Sequence, residues 1–223
     1  MVQAQPGQST TQDVTISNLT PREFSFELEA MDVAVRDGQR VFLPAGEMPR
    51  SIARTAVFSP NSFVVQPGGS VTAHITVTVT ENPAARAIVA IFRSNTKVQG
   101  QNGLMITASL GALMTFTLSK NLQIEGSTLH IDGASEGDDL VISEWVRNTG
   151  SEPVLSSGVV AVLNSTGKLV GKVPVEAMRL LPGERLQFKA RYPSTLKPGK
   201  YRALMTLEHD GTVLTTSCDF DIP

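Results

Sequence analysis

Residues 133–137, Gly133-Ala134-Ser135-Glu136-Gly137, reproduce the G-x-S-x-G spacing in which a serine sits on a sharp turn between a buried strand and a helix. That chemistry needs the helix, because the turn into it strains the hydroxyl outward as a nucleophile. Here the run continues into Asp138-Asp139 with no helical periodicity, so Ser135 reads as a loop residue. The same loop gathers Asp132, Glu136, Asp138 and Asp139, oxygen ligands of the kind Ca²⁺ takes. A solvated hairpin loop accounts for them without an ion, and no metal is expected. His74, His130 and His209 stand singly, none at the i, i+2 or i, i+4 spacing of a metal pair, and each reads as a surface residue. Cys218 is the lone cysteine, shares its parity with Leu214, Phe220 and Ile222, and reads as an inward, inert thiol. No set of titratable groups at a useful spacing remains, so the chain reads as non-catalytic and without a cofactor.

Composition narrows the remaining classes. The 223 residues carry 19 basic and 21 acidic side chains, a formal net charge of −2, spread without blocks. That balance offers no footprint for nucleic acid or an anionic membrane. One cysteine cannot make an intramolecular disulfide, so any core must hold by burial alone. No apolar run approaches the roughly 18 residues of a membrane span, and no basic-then-apolar leader opens the sequence. Val2-Gln3-Ala4-Gln5 would suit the tail of a signal-peptide cleavage site, with Met1 standing in for a removed export signal.

The elements that must position any site are strands. Helical periodicity is nearly absent, whereas Val71, Ala73, Ile75, Val77 and Val79 alternate with Thr72, His74, Thr76, Thr78 and Thr80 in the period of two of a half-buried strand. Further strands are expected at Thr11–Ser17, Arg22–Val35, Phe63–Gln66 and Arg86–Arg93, between turns at Asn18, Asp37-Gly38, Pro60-Asn61 and Pro67-Gly68-Gly69. In the second of these the apolar parity passes from Phe24, Phe26 and Leu28 to Met31, Val33 and Val35, which predicts a β-bulge near Ala30. The second half repeats the grammar with strands near Leu122–Ile131, Asp139–Arg147, Gly158–Leu163, Leu169–Val173, Arg185–Tyr192, Tyr201–Glu208 and Leu214–Ile222. Trp145, mid-strand and without the paired cysteines of antibody domains, reads as core packing. Gln66-Pro67-Gly68 and Leu181-Pro182-Gly183 each feed a strand, which points to an ancient duplication. The fold class is therefore all-β: two immunoglobulin-like β-sandwich domains in tandem, 1–119 and 120–223, with the boundary near Lys120-Asn121.

One segment exceeds what a sandwich needs. Leu104, Ile106, Ala108, Leu110, Ala112, Met114, Phe116 and Leu118 keep a single parity well beyond the usual strand of about 5–6 residues, with a bend expected at Gly111. Part of this set must form the inner face of a core. A strand that outlasts its own sandwich also offers an unpaired backbone edge and a row of apolar side chains, the requirements for β-strand addition to a partner.

Val57-Phe58-Ser59-Pro60, the run Phe63 to Val79 and Arg86-Ala87-Ile88-Val89 resemble the first domain of bacterial periplasmic pilus chaperones and related surface proteins. Pro6-Gly7-Gln8-Ser9 before Val14-Thr15-Ile16-Ser17-Asn18 does so too, while Val146-Arg147-Asn148-Thr149-Gly150, Leu181-Pro182-Gly183-Glu184 and Leu196-Lys197-Pro198-Gly199-Lys200-Tyr201 resemble bacterial Ig-like domains of exported proteins. The resemblance implies a periplasmic or extracellular protein whose first-domain last strand lends alternating apolar residues, here Leu104, Ile106, Ala108 and Leu110, to an incomplete pilus or surface subunit. It also implies a basic pair, on the first and last strands of that domain, that anchors the subunit's terminal carboxylate. This sequence departs there: no Arg or Lys precedes Arg22, none lies in 104–119, and Lys120 offers a hinge charge at no motif position. The alternative reading is a cell-surface or periplasmic adaptor or adhesion module without a chaperone cycle.

Overall fold

The computed structural model describes residues 2–99, 105–133, 139–193 and 196–223, with the side chains of 98, 99, 105, 106 and 108 outside that description. The chain divides into two compact units, Met1–Ala34 with Arg40–Ser119, and Val35–Gln39 with Lys120–Pro223. Nearly all of the described secondary structure is strand, and among the described residues no helix is long and apolar enough to cross a membrane.

In the first unit the strands are β1 (Val2–Gln3), β2 (Ser9–Ser17), β3 (Phe24–Arg36), β4 (Gln39–Pro44), β5 (Val57–Ser59), β6 (Ser62–Val65), β7 (Ser70–Thr78), β8 (Ala87–Gln99) and β9 (Met105–Thr117). One sheet runs β2-β7-β5; the other runs β1-β9-β8-β3-β4, with β6 also on β3. The alternation along β7 puts Ala73, Ile75 and Val77 inward, where they meet Ile88, Ala90, Phe92, Met114 and Phe116 of the facing sheet. Two sheets sharing one apolar layer make the sandwich. The opposite face of β2 and β7 is a ladder of hydroxyl pairs: Ser9 with Thr78, Thr11 with Thr76, Thr15 with Thr72 and Ser17 with Ser70, at 2.8–2.9 Å, and His74 with Asp13 at 2.7 Å.

The expected bulge near Ala30 is absent, because β3 pairs with β8 in unbroken register from Phe26↔Ser94 to Asp32↔Ile88. What broke the apolar parity is Asp32, which points inward although it is fully buried. Its carboxylate is satisfied by Ser51 Oγ at 2.8 Å and by the N–H groups of Gly46 and Met48 at 3.0 and 3.4 Å. A buried carboxylate with this many donors needs no change of register.

The second unit contains β10 (Ile124–Gly126), β11 (His130–Asp132), β12 (Leu140–Asn148), β13 (Val154–Asn164), β14 (Leu169–Leu180), β15 (Arg185–Tyr192), β16 (Gly199–His209) and β17 (Thr212–Ile222). The single strand expected over 122–131 is thus two short ones, both laid on β12. Sheet β10-β12-β11, extended by β15 on β12, faces sheet β14-β13-β16-β17. Leu140, Ile142, Val146, Val160, Val162, Phe188 and Met205 fill the space between.

Both units use the same side-chain pin. Asn18 follows β2 and donates its amide to the carbonyls of Arg22 and Val65 at 2.6 and 3.0 Å. Asn148 ends β12 and donates to those of Glu152 and Leu180 at 2.8 and 3.1 Å. In each case one acceptor is four residues downstream and the other lies two residues before the proline of the Pro-Gly turn. The turn returns the contact, with Gly68 and Gly183 donating to the carbonyls of Asn18 and Asn148.

Candidate functional site

β9 lies near the rim of the six-stranded sheet. On one side it pairs with β8 from Ala87↔Thr115 to Gln99↔Met105, and the register holds through Gly111, where a bend was expected. The irregularity sits instead on β8, where the residues between Arg93 and Lys97 outnumber those opposite. On its other side, among the described residues, the strand that pairs with β9 is the parallel two-residue β1, at Phe116 and Thr117. From Met105 to Gly111 no strand pairs with that side among the described residues.

Backbone direction follows from two bonds. The N–H of Phe116 donates to Arg86 O, toward β8, and the carbonyl of Thr117 accepts from Ala4 N on the β1 side. Alternation along a strand then turns the peptide groups of Thr107, Ser109 and Gly111 toward the open side. Side chains of the even residues from Leu110 to Phe116 share the inner face, and burial grades along them. Phe116 is fully buried and Met114 is 6% exposed, Ala112 is half-buried, and Leu110 is 46% exposed. The strand runs out past the core that buries its other end.

Of the four residues expected to meet a partner, Leu110 is thus an exposed leucine on the inner face. Ile106 and Ala108 lie within β9, their side chains outside the described residues, and Leu104 is outside them altogether. Lys120 is exposed and opens the second unit.

The other chemistry-bearing residues sort differently. Ser135, Glu136 and Asp138 lie outside the described residues, while Asp132 and Asp139 are exposed. Among the described residues no group of three His, Cys, Asp or Glu is placed to hold a metal. His74 and His130 are exposed, but His209 is buried, contrary to expectation. Desolvation lowers its pKa, opposed by Asp210 and the backbone of Leu122. Cys218 packs half-buried against the second core.

Trp145 overturns its expected core role. Leu140, Ile142 and Val146 take the inward parity of β12, so Trp145 faces outward, 38% exposed, with the Arg185 guanidinium 4.8 Å over its ring. Glu144, on the inward parity, is the residue the sequence reading missed: it is 1% exposed, and desolvation raises its pKa against the lowering effect of Thr216. The signal was present in the count along the strand, since an acid at an inward position between Ile142 and Val146 must be buried.

No family model matches the chain, and no curated protein matches it. Solved structures similar to it include bacterial chaperones, two of the following three from fimbrial and pilus systems. The class 5 fimbriae chaperone CfaA aligns over 100% of this chain and 95% of its own at 12% identity, with a TM-score of 0.43. The CsuC–CsuE chaperone–tip adhesion subunit pre-assembly complex from archaic chaperone-usher Csu pili of Acinetobacter baumannii aligns over 94% and 90% at 7% identity and a TM-score of 0.41. The Pseudomonas aeruginosa CupB2 chaperone aligns over 96% and 93% at 13% identity, with a TM-score of 0.38.

Proposed function

We propose that this chain is a non-catalytic, extracytoplasmic assembly chaperone that holds a pilus or surface subunit by β-strand addition along β9. The observation that carries the reading is the pairing pattern of β9, laddered to β8 along its length and, among the described residues, to β1 at its last two residues. An edge of unpaired peptide groups binds an extended strand by main-chain hydrogen bonds, and alternate side chains supply specificity. Leu110, with Ile106 and Ala108 on the same parity, then enters the partner's core, while Met114 and Phe116 remain in this protein's own. Unguarded edges aggregate, so an exposed leucine beside an open strand edge is a liability unless a partner covers it.

The test compares Ile106→Asp with Met114→Asp, by melting temperature and by the ability to keep a co-expressed pilus or surface subunit soluble. On this reading Ile106→Asp loses subunit binding with stability changed by no more than about 0.5 kcal/mol, as substitutions outside a core do. Met114→Asp buries an uncompensated charge and is expected to unfold the first unit. Equal unfolding of both variants defeats the proposal, and so does an Ile106→Asp variant that still solubilises the subunit.

A further inference from the structure

The outward face of β12 and β15 carries a concentration of positive charge that strand addition leaves unused. Directly paired residues share a face of a sheet, so the register Arg147↔Arg185, Trp145↔Gln187, Ser143↔Lys189 and Val141↔Arg191 puts all eight side chains on one surface. Arg147, Arg185, Lys189 and Arg191 are exposed, and among the described residues none of them makes an ion pair. On the far side of β12, Glu125 lies across from Arg147, His130 from Ser143 and Asp132 from Val141, so the face keeps a cationic excess. Arg147 and Arg185 stand directly opposite each other, an arrangement that costs stability in a sheet. Protection of an exposed edge does not explain it, because Arg147 belongs to the central strand of its sheet.

Hydrogen bonds brace the centre of this face. Ser127 Oγ accepts from the Trp145 N–H at 3.2 Å, and the Ser127 N–H donates to the Trp145 carbonyl at 2.8 Å. Gln187 Nε2 donates to the buried Ser143 Oγ at 3.1 Å. Arg185 stacks on the indole, which fixes its planar donor fork without consuming it. A tryptophan and three arginines to one lysine is the composition of a protein–protein hot spot, where Trp and Arg are enriched and Lys is depleted. The geometry points to this face as a docking surface for an acidic protein partner, its carboxylates received by Arg185, Arg147 and Arg191 around the Trp145 platform. The inference is independent of the β9 edge.

Trp145 is the only tryptophan in the chain, so its fluorescence reports on this face directly. Titrating the full chain with a synthetic peptide of alternating glutamate and threonine is expected to shift Trp145 emission saturably. The lysine–threonine counterpart is expected to do nothing, and the affinity should fall as salt rises past about 0.1 M, where the screening length is about 10 Å. Arg185→Ser is expected to weaken binding about tenfold or more, as loss of a hot-spot residue does. Arg185→Lys, which keeps the charge but not the planar stack, should fall between. Arg54→Ser in the first unit and Ile106→Asp on β9 should leave the titration unchanged. No emission change, equal response to the lysine peptide, or undiminished binding by Arg185→Ser overturns the proposal. Binding of phosphatidylglycerol vesicles or dextran sulfate in place of the acidic peptide overturns it as well, assigning the face to a membrane or a polysaccharide.

Discussion

Replacing Glu144 by glutamine should change the pH dependence of stability, and the sign can be worked from its surroundings. The side chain projects between the sheets of the second unit. Its Oε2 accepts from Thr216 Oγ1 at 2.6 Å, while Oε1 has no hydrogen-bond partner and occupies space that a Cβ at Gly126 would need. No lysine or arginine is buried among the described residues, so nothing in the core neutralises an ionised Glu144. Burial therefore raises its pKa above the ordinary 4.5. Below that value both folded and unfolded chains hold the proton, and the group adds no slope. Between it and the raised folded pKa the unfolded chain has lost the proton and the folded one has kept it, so stability falls as pH rises. The fall is about 1.4 kcal/mol per pH unit for one proton, or roughly 5–11 °C in melting temperature for a domain of about 100 residues. Above the folded pKa the loss is constant. Thermal melts of wild type and Glu144→Gln, followed by Trp145 fluorescence from acid to neutral pH, should show the difference between the variants moving in favour of glutamine as pH rises. Parallel curves would refute the reasoning, because they would mean that the carboxyl ionises equally easily in both states.

His209 should act in the opposite sense: its lowered folded pKa means that stability rises with pH up to about 6.5, and His209→Gln is expected to flatten that limb of the same melting curve. Asn148→Ala removes bonds to two buried carbonyls and the acceptor for Gly150 N–H, and should cost the second unit about 2–4 kcal/mol in denaturant titration. Asn18→Ala should lower the first unit's transition in the same way, and a shift in the other unit's transition would contradict both assignments. Asp32→Ala removes the acceptor of the Met48 N–H and the Ser51 hydroxyl and leaves the Gly46 N–H held by Ser51 Oγ alone, and limited proteolysis should then cut between residues 45 and 51 well before it cuts the wild type. Gly158→Ala drives a Cβ into the Thr206 carbonyl within the β13–β16 ladder and should yield largely insoluble protein, readable from the soluble fraction on expression.

Where one sheet face is buried, alternation made the strands legible, and β15 coincides with its expected bounds, Arg185–Tyr192. Pattern reading failed where pairing rather than composition imposes the strand. The outer half of β8, Ser94–Gln99, has no apolar alternation and extends because β9 pairs with it. β4 escaped the pattern because Val41, Phe42 and Leu43 run together without the alternation of a half-buried strand. Parity misled at β3, where apolar Met31 and Val33 suggested a change of face, although the buried carboxylate of Asp32 had kept the register. Trp145 was misjudged because residue type was weighed above position, and the parity of Leu140, Ile142 and Val146 already assigned it outward. At the candidate edge, the apolar parity of β9 was readable in the chain. The two-residue extent of its pairing with β1 was not, because ladder length depends on where another segment happens to lie.

The paired asparagine pins also bear on chemical ageing. Asparagine deamidates when the next backbone nitrogen attacks the side-chain amide, and the product carboxylate is an acceptor where these pins need a donor. At Asn148 that nitrogen belongs to Thr149, whose N–H donates to Gln123 O at 2.9 Å, while the amide itself is clamped by two carbonyls. Neither pin is followed by glycine, the neighbour that offers least hindrance to attack. The chain's one Asn-Gly pair is Asn102-Gly103, between β8 and β9. Asn102 lies outside the described residues, but by sequence it is where stored protein should acquire its first negative charge, and an acidic shift on isoelectric focusing traced to the peptide holding Asn102 would be the mark of it.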